Sequence, residues 1–150
     1  MRRESLLITL FISAVVAVGC DSNRPVALED SGATLEGKVT YGNEQLQFAL
    51  IIVTNGQSSA TGKITPEGKY VVKNVPLGEV KIGVNTDAAT GDFQAASMSG
   101  GAYKGPEGKG KGKVELKLIT VPNKYFDPNT SGITTTITKG TNTFNIVVPK

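Results

Sequence analysis

The sequence predicts an all-β antiparallel sandwich of about seven or eight short strands, with one long flexible Gly/Lys-rich loop. Three observations lead there. Apolar and polar residues alternate with period two through much of the chain beyond Thr34. Gly, Pro and Asn punctuate those runs at short intervals. No segment beyond the N-terminal leader carries a convincing apolar stripe at helical spacing.

The first nineteen residues read as a secretory signal. Arg2 and Arg3 open it, Leu6 to Val18 is apolar except for Thr9 and Ser13, and Ala17-Val18-Gly19 lead up to Cys20, the one cysteine in the chain. The apolar run is shorter than the roughly 20 residues a spanning helix requires. A cysteine directly after such a site resembles the signal of a bacterial lipoprotein. That resemblance implies a diacylglyceryl group on Cys20, which becomes the mature N-terminus and holds the exported protein to a membrane of the cell envelope. Two or more acyl chains anchor stably where one is marginal. Inner and outer membrane both stay open. Residues 20–33 are polar, contain Pro25, and read as the lipidated N-terminus and its tether.

Residues 34–150 form one β-sandwich domain, within the usual size of a single core. Leu35, Val39 and Tyr41 alternate with Glu36, Lys38 and Thr40, the mark of a half-buried strand. Gly42-Asn43 turns the chain into a continuous apolar run, Phe48 to Val53, which suits a central strand. Asn55-Gly56 closes it. A weaker strand at Ala60–Thr65 meets the turn Pro66-Glu67-Gly68, and Tyr70 and Val72 share a face of the next. Val80, Ile82 and Val84 alternate with Lys81, Gly83 and Asn85. Val114, Leu116 and Leu118 alternate likewise with Glu115, Lys117 and Ile119, predicting a strand there. Ile133, Thr135 and Ile137 make one more, Lys139-Gly140 turns, and Phe144, Ile146 and Val148 end the domain.

Residues 87–112 interrupt this pattern and read as a surface excursion. Ala88 to Met98 has some helical character, opposed by Gly91 and by the Ser/Gly ending. Gly100 to Gly112 alternates Gly with Lys, a composition that cannot bury a core. Lys104, Lys109, Lys111, Lys113 and Lys117 form a candidate interaction loop for anionic lipid or polymer.

The segment Gly37-Lys38-Val39-Thr40-Tyr41-Gly42, followed by Leu46, Gly68-Lys69-Tyr70, Val75-Pro76-Leu77-Gly78 and the strand through Ile82, resembles a carboxypeptidase regulatory-like domain. That family belongs to the transthyretin-like (prealbumin-like) sandwiches. Val121-Pro122-Asn123-Lys124-Tyr125-Phe126-Asp127-Pro128 with Thr130-Ser131-Gly132-Ile133 resembles a recurring ending of small exported lipoproteins of this type. The resemblance implies a sandwich fold and no particular activity, because such modules are attached to many different proteins. Relatives with an internal Lys–Asn or Lys–Asp cross-link carry a catalytic acid four residues after the tyrosine matching Tyr70. Asn74 stands there, so no cross-link is expected.

The chain contains no histidine, which removes histidine-dependent nucleophilic triads and the commonest transition-metal ligand. It also counts against the hydrolase branch of the transthyretin-like fold. Glu36, Glu44, Glu67 and Glu79 sit in turns or on polar strand faces. Gly105 to Gly112 approaches a phosphate-binding loop, but Gly112 replaces the Ser or Thr that binds magnesium, and no helix follows. Asp127 to Gly132 matches half a calcium loop, yet Thr138 stands where a bidentate Glu is needed. No metal and no cofactor are expected. A net charge of +3, with Arg2, Arg3 and Glu4 in the leader, is no nucleic-acid footprint. The expectation is a membrane-anchored, non-enzymatic module with a structural or protein-interaction role. The alternative is binding of an envelope polysaccharide or other anionic polymer through the lysine-rich loop.

Overall fold

A computed structural model describes residues 30–100 and 115–150. The leader, Cys20, most of the tether and the Gly/Lys stretch lie outside those residues. Among the described residues, nine strands form two packed sheets. The first contains β1 (Ala33–Tyr41), β2 (Glu44–Gln45), β5 (Lys69–Lys73), β8 (Gly140–Thr143) and β9 (Ile146–Val148). The second runs in the order β4 (Ser59–Lys63), β3 (Leu50–Thr54), β6 (Gly78–Asn85), β7 (Ile133–Ile137).

β1 organises the first sheet because it is long enough to pair four times. Its first half lies antiparallel to β5, with Leu35 opposite Val72 and Gly37 opposite Tyr70. Its second half meets β2. Along its other edge run β8 and then β9, both parallel to it. The sandwich is therefore mixed, where alternation alone suggested antiparallel pairing throughout. Period two specifies which face is buried and says nothing about strand direction.

The inward positions are apolar. Leu35, Val39, Tyr70, Val72, Ile146 and Val148 of the first sheet close against Ile51, Val53, Val80, Ile82 and Val84 of the second, each with no exposed surface. Burial of each such side chain stabilises the fold by about 1.5–3 kcal/mol. The sheets join at a corner where Ile64 bridges Tyr70. There the second sheet comes so close to the first that a Cβ on Gly62 would lie 2.6 Å from the Val71 carbonyl oxygen.

Two local expectations are corrected. Of the strand expected over Val114 to Ile119, the described residues 115–119 form none. A side chain, Gln47, meets their backbone where a neighbouring strand would otherwise lie. The excursion that starts at Asp87 opens with a 3-10 turn, Asp87–Ala89, and a helix, α1, over Thr90–Met98. Packing settles what divided local propensity left open. The Asn85 side chain accepts from the Ala88 amide (3.0 Å) and orients the entry. Phe93 meets Phe48 edge to face at 5.3 Å between ring centres, Ala96 is buried, and Asp92 pairs with Lys63 at 2.9 Å. This also explains why β3 begins at Leu50: Phe48 serves the small cluster under α1.

Candidate functional site

An open groove of about 600 Å³ runs between β2 and residues 115–119, lined by Glu44, Gln45, Gln47, Leu116, Lys117 and Ile119 among others. Gln47 builds it. Its side-chain amide donates to the Glu115 carbonyl at 3.0 Å and accepts from the Lys117 amide at 2.6 Å. One side chain thus reproduces the donor and acceptor of a neighbouring strand. Satisfied this way, residues 115–117 lie alongside the sheet without joining a ladder.

Glu44 holds the groove's outer wall. Its carboxylate spans two lysines, with Lys117 Nζ at 2.6 Å and Lys150 Nζ at 3.1 Å. The Lys150 ammonium also lies 5.7 Å from the centre of the Tyr41 ring. The Lys117 ammonium, followed by that of Lys150, favours the charged carboxylate and holds the Glu44 carboxyl below the usual glutamate value. Glu44 is thus a fixed anion at neutral pH. A group poised to exchange protons there would need the opposite shift.

Of the five candidate lysines, Lys117 is described, and it is committed to Glu44. Lys104, Lys109, Lys111 and Lys113, like Cys20, lie outside the described residues. The half-loop at Asp127 has a structural use. Asp127 Oδ1 caps the short helix α2 (Pro128–Ser131) by accepting from the Asn129 amide at 2.8 Å. Gly132 ends that helix with φ +72°, and the Ser131 hydroxyl donates to the buried Ile82 carbonyl at 2.6 Å. Thr130 donates to the Lys124 carbonyl at 2.6 Å. The oxygens that suggested a calcium loop fasten α2 over Gly83, where a Cβ would lie 2.7 Å from the Phe126 carbonyl oxygen. Among the described residues no His/Cys/Asp/Glu group is clustered for a metal ion, and no helix is long and apolar enough to cross a membrane.

The roles of Gln47 and Glu44 left no signal in the sequence. An isolated Gln between Leu46 and Phe48 carries no mark of its partner, which lies about 70 residues away. The chain has no match among protein-family models, curated proteins or solved structures.

Proposed function

We propose that the chain is an exported, lipid-anchored, non-enzymatic module of the cell envelope, with a structural or protein-interaction role. The observation that carries this reading is the order Arg2-Arg3, apolar run, Ala17-Val18-Gly19-Cys20 placed ahead of a single β-sandwich. Cys20 takes the lipid, residues 20–33 tether it, and the sandwich is the load. The mixed sheet arrangement is compatible with a carboxypeptidase regulatory-like, transthyretin-like domain, which this reading adopts as its fold family. The groove supports an interaction role, since its polar side chains hold structure and Glu44 is a fixed anion.

Labelling cells with radioactive palmitate tests the anchor. The intact chain should incorporate label and sediment with membranes, and Cys20→Ser should lose both. Label retained by the Ser variant would refute the assignment.

The Gly–Lys alternation of residues 100–113 favours a second reading, binding of an anionic envelope polymer. Because Lys117 is paired with Glu44, the remaining four lysines would carry it. A salt-sensitive pull-down lost on deleting residues 100–112 would support that reading, and unchanged binding would remove it.

A further inference from the structure

The outward face of the first sheet combines three features that solvated sheet faces avoid. First, cross-strand pairing places Lys38 directly opposite Lys69. Like charges facing each other across a pair of strands destabilise it. Second, Lys73 follows on the same face, opposite Thr34, and among the described residues none of these three lysines enters an ion pair. Glu36 is the single acid on those positions, so the face is net positive. Third, two valines stand out among the charges. Val71 pairs with Glu36 and is 49% exposed; Val147 pairs with Thr40 and is 62% exposed.

Directly paired residues point to the same side of a sheet, so these groups share one surface. From Thr34 to Thr40 it extends about 20 Å along β1, and it is three strands wide, from β5 across β1 to β8 and β9. Lys38, Lys69, Val71, Lys73 and Val147 are all exposed on it.

We infer that this face docks on an anionic bilayer surface. Unpaired lysines with exposed valines between them suit that occupant. Lysine ammonium groups reach acidic headgroups, while the valines enter the apolar boundary just beneath. A polyanion in water would reward the lysines and leave both valines wet. The fold thus tolerates a like-charge pair at Lys38 and Lys69 that an acidic surface converts into an attraction. This extends the envelope reading and does not depend on the acyl group.

The test is co-flotation of the full chain with vesicles of phosphatidylcholine alone and of phosphatidylcholine with roughly one-third phosphatidylglycerol, read as the ratio of the two partition coefficients. Every charge and apolar group outside the face is the same in parent and variant, so the change in ratio on substituting the face isolates its charge. The expected result is a preference for anionic vesicles that falls by at least about tenfold in K38Q/K69Q/K73Q and collapses at about 0.5 M salt. V71S/V147S should lower binding to the anionic vesicles even with every lysine kept. Circular dichroism and thermal melting should show both variants folded, with the lysine variant no less stable than the parent. A preference that survives the triple substitution would overturn the inference and assign the charge effect elsewhere in the chain. Binding to dextran sulfate that depends on the three lysines, with no preference for anionic vesicles, would overturn it in favour of a polymer site. Cys20→Ser separates the two proposals. A variant that leaves membranes in cells but keeps the vesicle ratio supports the anchor and this face together. Palmitate label that persists in that variant refutes the anchor alone.

Discussion

The Tyr70 hydroxyl donates to the Phe144 carbonyl oxygen at 2.7 Å, from a ring with no exposed surface. The bond crosses β1: Tyr70 belongs to β5, on one edge, and Phe144 joins β8 to β9, on the other. Between them lies Gly37, the β1 residue opposite Tyr70, whose missing side chain lets the phenol reach over the strand. A fully buried tyrosine needs a partner for its oxygen, and the junction of the last two strands supplies it. Burial also pushes the Tyr70 hydroxyl pKa well above its ordinary value, so it remains a donor throughout the physiological range.

Tyr70→Phe should therefore destabilise the domain by about 1–2 kcal/mol, since it strands the Phe144 carbonyl without greatly changing volume. Urea unfolding followed by circular dichroism measures this. A variant as stable as the parent would show that the bond adds nothing.

Gly37→Ala should cost more, about 2 kcal/mol or above. A Cβ there would collide with the Phe144 carbonyl oxygen and press on the Tyr70 ring, 3.2 Å from its Cε1. Gly91→Ala is the opposite case. It lies inside α1, and a Cβ there meets nothing within 4 Å. The change should stabilise by up to about 1 kcal/mol through helix propensity. The pair of melting temperatures should move in opposite directions.

Gln47→Leu keeps the bulk and removes the amide that stands in for a strand. The Lys117 N–H then loses its acceptor, and its hydrogen exchange should accelerate by about tenfold, equivalent to roughly 1.4 kcal/mol of local protection. Amides in β3 and β6 should keep their protection. Uniform acceleration across the domain would mean that the groove is no separate unit.

Acid should loosen the groove's outer wall. Glu44 has its folded pKa lowered by Lys117 and Lys150, so its contribution is present above the unfolded glutamate value and fades as pH falls through the lowered one. Because the carboxylate is exposed, the global effect is small. The local one is readable by NMR. The Glu44 carboxyl should titrate below ordinary glutamate, and Lys117→Met should move its midpoint upward. A midpoint unmoved by that substitution would dissociate the shift from the ion pair.

Which residues face outward is legible in the alternation of the chain, whereas which residues lie beside them is not. Lys38 and Lys69 are each plainly on polar strand positions, but nothing in the chain order says that they face one another. Gln47 and Lys117 show the same limit more sharply, for a side chain that imitates backbone leaves no pattern at all. α1 shows a third kind. Its propensity is divided, with Gly91 and Asp92 against Gln94, Ala95, Ala96 and Met98, and packing of Phe93 and Ala96 against Phe48 settles it as helix.

The alternation of apolar and polar residues, with the apolar run at Phe48 to Val53, was enough to determine the all-β class, most turns and most of the inward set, though residues 115–119 alternate without forming a strand. That information is local, because a pleated strand exposes successive side chains to opposite sides. Strand order, the parallel approach of β8 and β9 to β1, and the meeting of Tyr70 with Phe144 were decided only when the sheets closed. Pairing depends on which distant segments bury each other best and leave no buried peptide group unsatisfied, and that is a property of the assembled core.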